Sequence, residues 1–418
     1  MKTMRKDRRR FLGWLAAVPG AAWFLGGGTA LGQAAGGAAS SVAAGPGGVA
    51  GVAGRDVIAE LGVRSFINAA GTFTAMTGSL MGDEVLAAMK VASTKYVMLE
   101  ELQKAVGDRI AQRLQCEAAL VTAGCASALS VATAACVAGA DRDRIRRIPD
   151  TTGMKNQVVI QRSHRVGYDH AVRNAGVTMV EVETATEMEA AINDRTAMMF
   201  FLNAASDEGQ VKHEQFVEIA KRRTVPTLID AAADVPPVEN LWRFTKMGFD
   251  LVAFSGGKGL RGPQSAGLLL GRRELIEAGR MNMSPHGDTL CRTNKVNKEE
   301  IIGMLVALER FLDQDHAAVW KEWERRCEAI AAAVRDIPTV NTEVRVPSVA
   351  NAVPHLHVTW DYEGRSLTAR QAVEKLRNGT PSIEVNPGSR YRIVVGVWMM
   401  REGDAEVVAK RLREVLAG

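Results

Sequence analysis

The chain reads as an α/β protein. A large domain is built on a mostly parallel sheet with helices on both faces, and a smaller α+β domain follows it. Three observations predict this. Short apolar runs alternate with helical periodicity between residues 118 and 270, the rhythm of successive βα units. Asp230 closes one apolar run and Lys258 follows another, so both fall at carboxyl ends of strands, where open α/β sheets bind ligands. A long helical pattern from about Lys298 to Glu328 then separates this block from a stretch of shorter strands.

The N-terminus is read as targeting, not fold. Arg8-Arg9-Arg10-Phe11-Leu12 follows a basic start and precedes a moderately apolar, Gly- and Ala-rich stretch from Phe11 to Leu31. This pattern predicts a twin-arginine signal peptide over residues 1–32, with passage through the export machinery and a periplasmic destination. Asp7 stands where Ser or Thr is usual, and Gly13 where Lys is common. The alternative is a membrane anchor, which Pro19 and Gly26-Gly27-Gly28 weaken. Residues 33–54 are nearly all Ala, Gly, Ser and Val and read as a flexible linker.

Next comes the core of the chain. Helical patterns fall at about 83–90 and 97–114. Strands are predicted at 118–121, 157–161, 178–182, 197–201, 227–229, 251–254 and 266–270, with helices at about 126–138, 168–175, 186–193, 213–222 and 238–246. The large domain with its N-terminal segment is expected over 55–310, and the connector helix with the small domain over 311–418. Small-domain strands are expected at 344–346, 355–359, 382–385 and 392–396, with a last helix at about 404–416.

Charge and cysteines exclude some functions. The whole chain carries +5. Lys2, Arg5, Lys6, Arg8, Arg9 and Arg10 against Asp7 account for that excess, so the remainder is near neutral and predicts no nucleic-acid surface. Cys116, Cys125, Cys136, Cys291 and Cys327 are odd in number and include no Cys-x-x-Cys pair, so neither a zinc site nor a disulfide framework follows.

The most informative segment is Ser255-Gly256-Gly257-Lys258-Gly259-Leu260-Arg261-Gly262-Pro263-Gln264. Glycines around a single lysine leave room for a planar cofactor at a Schiff-base amine. Asp230 ends Thr227-Leu228-Ile229-Asp230, one helix and one strand earlier. A carboxylate at a pyridine nitrogen and a lysine at the aldehyde carbon are the pairing that pyridoxal phosphate (PLP) needs.

With Gly62-Val63-Arg64-Ser65-Phe66-Ile67-Asn68-Ala69-Ala70-Gly71-Thr72 and the Thr122-Ala123-Gly124-Cys125-Ala126-Ser127 turn, these segments resemble the selenocysteine synthase-like PLP enzymes. Within that group they are most like its tRNA-independent branch near D-glucosaminate-6-phosphate ammonia lyases. The resemblance runs from about residue 55 to the C-terminus. It implies the fold type I (aspartate aminotransferase) architecture with a seven-stranded sheet, PLP as cofactor, and a homodimer or higher homo-oligomer.

It also implies roles. Gly124, Cys125, Ala126 and Ser127 would cradle the cofactor phosphate at a helix start, with Ser255 beside them. His164 would stack on the pyridine ring, with His170 as an alternative. Asp230 would hold the ring nitrogen protonated. Lys258 would carry the cofactor and then serve as the base for the α-proton. Asn68 and Thr72 are expected on the substrate side. Arg390 and Arg392, or Arg292 in the basic segment 291–298, are candidates for a substrate carboxylate.

The expected reaction is α,β-elimination from a small amino acid or amino sugar acid, of the ammonia-lyase type. A racemase or epimerase is the main alternative. It needs a second acid/base, for which His164, Tyr168, His170 and Cys291 are candidates. A non-catalytic exported binding protein would have lost Lys258 or Asp230, and both are present. Selenium transfer to a tRNA-borne serine is disfavoured by the near-neutral charge and by a signal and linker in place of a tRNA-binding domain.

Overall fold

The computed structural model describes residues 55–361 and 367–418. The expected signal peptide and linker lie outside the described residues. Two sheets organise the chain. The large one has seven strands in the order β2-β8-β7-β6-β5-β3-β4. These are β2 (Ala118–Thr122), β3 (Gln157–Gln161), β4 (Thr178–Val182), β5 (Thr196–Leu202), β6 (Thr227–Asp230), β7 (Leu251–Ser255) and β8 (Gly267–Gly271). Strands β4, β3, β5, β6 and β7 run parallel, and β8 runs antiparallel to both β7 and β2. The carboxyl ends of β2, β7, β6 and β5 therefore share one edge.

Burial explains the strand sequences. Every residue of Thr-Ala-Met-Met-Phe-Phe-Leu in β5 is buried, as a strand covered on both faces requires. The helix Gly124–Ala138 is almost wholly buried. Its alanines, serines and valines let it lie close against the sheet, and it is apolar all round because it has no solvent face.

The second sheet has the order β1-β11-β12-β10-β9, with β1 (Ile67–Ala69), β9 (Val340–Arg345), β10 (His355–Trp360), β11 (Ile383–Ser389) and β12 (Arg392–Gly396). In β10 the pattern His-Leu-His-Val-Thr-Trp alternates half-buried and buried positions, so one face lies on a core and the other is polar. That core is separate from the large one and gathers Trp323, Leu356, Trp360, Trp398 and Leu412. β1 pairs in parallel with β11, so the N-terminal segment expected to travel with the large domain supplies the edge strand of the small one.

Two expected helices differ. The single connector helix over 298–328 is two helices, Lys298–Asp313 and His316–Val334. Gln314 is extended, and the Asp315 side chain accepts from Ala318 N at 2.9 Å, capping a new start. The helix over 168–175 is a 3-10 turn, Gly167–Asp169, followed by the one-turn helix His170–Arg173. Buried Asp169 there takes ion pairs from Arg165 and Arg173. Short helices at Arg142–Arg147, Arg273–Met281 and Ala369–Arg377 carry no expectation from the sequence.

Candidate active site

Register places the two key residues. Asp230 of β6 lies opposite Ala253 of β7, and Ala231 N donates to Ala253 O at 2.9 Å. β7 ends two residues on, at Ser255. Lys258 then sits in the turn that folds back over this edge. Arg261 N donates to Lys258 O at 3.0 Å, and Gly262 N to Gly256 O at 2.9 Å. The turn is closely packed: a Cβ on Gly259 would lie 1.9 Å from Val235 O. Glycine is required there by backbone approach.

Asp230 is buried and half-satisfied. Its Oδ1 accepts from Ala232 N at 3.0 Å and meets the Cys125 thiol at 3.7 Å. Burial raises its pKa, opposed by Ala232 N–H, the Lys258 charge and the Cys125 contact. Cys125 is raised well above the ordinary thiol value by burial and then by Asp230, so it stays a neutral thiol. Lys258, Asp230, Asp234 and Cys125 thus form one electrostatic group.

The helix start beside them is open. Gly124, with φ +81°, begins the helix, and its N-cap Ala123 offers no side-chain cap. The first backbone N–H groups of the helix therefore lack side-chain acceptors. Ser127 Oγ is buried with no hydrogen-bond partner. Gly267 fixes the distance to β7: it pairs with both Thr122 and Ser255, and a Cβ there would lie 2.5 Å from Gly124 C and 2.7 Å from Cys125 N. An uncapped helix start, an orphaned buried hydroxyl and Ser255 across the edge make a donor set that fits a phosphate.

Other expected residues take different places. His164 is fully buried. Its Nδ1 accepts from Leu202 N at 3.2 Å, its Nε2 lies 3.2 Å from Gln161 Nε2, and its ring meets Phe201 edge-on at 4.5 Å. Its charged neighbours are His213 and Lys212, and burial pulls its pKa down to about 4. It is a neutral strut beneath the edge, with its Nδ1 engaged by the Leu202 amide. The Asn68 side chain is consumed locally, accepting from Ala70 N and Gly71 N at 3.1 and 3.0 Å and donating to Gly71 O at 2.9 Å. It shapes the turn that presents Thr72.

Arg390 is exposed at the β11–β12 turn, its guanidinium 5.4 Å from the Tyr391 ring centre. Arg392 is half-buried with Nε unpartnered. Arg292 is exposed on the loop before Lys298. Arg390 and Arg392 thus flank the β11–β12 turn, and Arg292 lies on a loop of its own.

The candidates for a second acid/base fare poorly. Cys291 is fully buried and its thiol is pushed up to about 12 by burial. Tyr168 is 61% exposed and His170 is exposed.

Sequence reasoning missed Asp234 and Asn203. Asp234 is buried, accepts from Ala350 N at 3.0 Å, and is held near pKa 6 by burial against hydrogen bonds from Asn203 and Ala350. Asn203 follows β5, and its Oδ1 lies 2.6 Å from His213 Nε2. Asn351 N also donates to Ala233 O at 2.7 Å. This loop of the small domain docks on the carboxyl edge, a contact between residues over a hundred positions apart that local pattern does not signal.

A lysine turn over a buried aspartate, at the carboxyl edge of this sheet and beside an uncapped helix start, defines a fold type I PLP enzyme. The chain belongs to the L-seryl-tRNA selenium transferase family, whose model matches residues 66–320. It is 27% identical to D-glucosaminate-6-phosphate ammonia lyase of Salmonella typhimurium, covering 86% of this chain and 98% of the relative. It is 29% identical to 5'-C-glycyluridine monooxygenase-decarboxylase of a Streptomyces species, covering 85% and 91%. The solved structure of D-glucosaminate-6-phosphate ammonia-lyase superposes with a TM-score of 0.76 at 26% identity, covering 87% of this chain and 98% of that one. A structure of SPT with PLP, 13% identical and with a TM-score of 0.53 over 84% and 87%, shares the fold.

Proposed function

We propose that this protein is an exported PLP-dependent ammonia lyase acting by α,β-elimination on a small amino acid or amino sugar acid. The observation that carries this reading is Lys258 turned over buried Asp230 beside the open helix start at Gly124. The lyase similarity over almost the whole relative supports the reaction class.

PLP supplies a sink for the electron pair left at the substrate α-carbon. The residues do the rest. The N–H groups of Cys125, Ala126 and Ser127, with the hydroxyls of Ser127 and Ser255, would hold the phosphate. The Asp230 carboxylate would accept a hydrogen bond from the protonated ring nitrogen, a charge-assisted bond in a buried site. Cys125, kept neutral, leaves that charge unopposed by a thiolate. Lys258 Nζ takes the α-proton and delivers a proton to the departing β-substituent. The α-proton and β-substituent leave, and water replaces the amino nitrogen to give a 2-oxo acid and ammonia. Arg392, whose Nε has no partner, is the preferred arginine for the substrate carboxylate.

The active unit is a homodimer or larger homo-oligomer, and the substrate is a small molecule, not a nucleic acid. Ammonia and 2-oxo acid release from a panel of D- and L-amino acids and amino sugar acids tests the reaction. Release from one substrate, lost in Lys258→Ala, is expected. α-Proton exchange without either product would replace the lyase by a racemase. Export is tested separately. The wild-type chain should appear processed in the periplasm, and Arg8→Lys with Arg9→Lys should hold it in the cytoplasm.

A further inference from the structure

A cavity of about 370 Å³ lies between the two domains. Its walls are the lysine turn (Gly259, Arg261), the two connector helices (Arg310, Glu322, Arg326) and the small-domain residue Trp398. Asp230, Cys125, Ser127 and Lys258 do not line it. It is therefore separate from the cofactor-facing edge, though both share one turn.

The charges in this cavity do not balance locally. Arg326 is satisfied: its Nε donates to Glu322 Oε1 at 2.8 Å and its Nη1 to Met400 O at 2.7 Å. Arg310 meets Glu84 at 3.3 Å. Arg261 donates to Trp398 O at 2.5 Å and has no acidic partner among the described residues. Its guanidinium is lowered from its ordinary value by burial and by the charges of Arg310 and Arg326. The residue also holds a positive φ of 54°, a conformation uncommon for a non-glycine side chain. A largely desolvated guanidinium beside two others is unfavourable unless a counter-charge completes the set. An arginine fork matches the paired oxygens of a phosphate or carboxylate.

We infer that this cavity binds the oxyanion group, phosphate or carboxylate, of a small molecule, with Arg261 as its principal ligand and Arg310 and Arg326 adding charge. Occupancy would tie the lysine turn to the small domain, because Arg261 already bonds Lys258 O through its backbone N and Trp398 O through its side chain. The site stands whether or not Lys258 carries a cofactor.

Inorganic phosphate and malonate, titrated by calorimetry into the full chain loaded with PLP and into Lys258→Ala, test this. Saturable binding is expected in both proteins, weakened at least about tenfold in Arg261→Gln and in Arg310→Gln. Binding of phosphate alone would identify a phosphate-bearing ligand, and binding of malonate as well would admit a carboxylate. Arg261→Gln alters a strained turn, so the exposed-side variant Arg310→Gln is the safer control, with its fold checked by circular dichroism. No saturable binding, binding unchanged in folded Arg310→Gln, or binding abolished by PLP loading would overturn the inference. The last result would place the anion in the phosphate cradle at Gly124.

Discussion

The carboxyl edge of β6 and β7 and the strand pair β11–β12 meet different demands. At the first, Asp230 and Lys258 come together through neighbouring parallel strands and one glycine turn, within 28 residues of chain. At the second, the Asn386 side chain reaches Ala70 O across 316 residues, and β1 pairs with β11 over a similar span. The lysine–aspartate pair is therefore assembled by local chemistry, although the helix start beside it at Gly124 comes from about a hundred residues earlier. The β1–β11 edge of the small domain is assembled by docking of distant segments. This teaches where a residue type carries its role with it and where its role is conferred by packing.

The largest effect is expected at Asp230. Asp230→Asn should lower turnover by about 10²-fold or more, since a neutral amide cannot hold the ring nitrogen's proton in a buried site. Steady-state ammonia release checks this. Turnover near wild type would mean that Asp230 serves only as a turn residue.

The next effect is on stability against pH. His164 is depressed from about 6.5 to about 4, so it contributes stability present above about pH 6.5 and lost as pH falls through about 4. That term is worth on the order of 3 kcal/mol. Asp234 is raised from 3.8 to about 6, so its term is present below about pH 4 and lost as pH rises through about 6. The two oppose each other. Relative to wild type, His164→Asn should gain stability between pH 7 and 4.5, and Asp234→Asn should lose it. Urea unfolding at the two pH values reads both slopes. Parallel slopes in the two variants would contradict the burial account.

A smaller loss is expected from Gly267→Ala. Its Cβ would strike backbone atoms of Gly124 and Cys125, costing about 1–3 kcal/mol and weakening cofactor retention by shifting the helix start. Thermal unfolding and the PLP content of the purified protein measure this. The smallest effect is expected at Arg292, which is exposed. Arg292→Ala should change stability by less than about 0.5 kcal/mol. A rise in KM in Arg292→Ala that exceeds the rise in Arg392→Ala would move the substrate carboxylate from the small domain to the 291–298 loop.

The same contrast governs how much was legible beforehand. The seven strands of the large sheet fall within about a residue of their expected places, because buried parallel strands announce themselves as apolar runs between helices. Lys258 and Asp230 were legible because their spacing fits that rhythm. The break at Gln314-Asp315 was not, since Leu312, Val319 and Trp323 continue an apolar pattern through it, and only the Asp315 cap marks the new start. His164 was legible as a residue of interest but not as a strut, because its partners Leu202 and Phe201 lie on another strand. Asn68 looked like a substrate contact until its turn bonds were seen. Asp234 lies four residues after Asp230, yet it meets a loop from the other domain that local pattern does not signal.

Lys258 is the residue proposed to bind PLP. The purified protein, loaded with PLP and dialysed, should show a visible absorbance band that borohydride fixes covalently, with the label on Lys258 by peptide mass spectrometry. Lys258→Ala should lose both the band and the label. A wild-type chain that takes up no PLP, or a label on another lysine, would contradict the account.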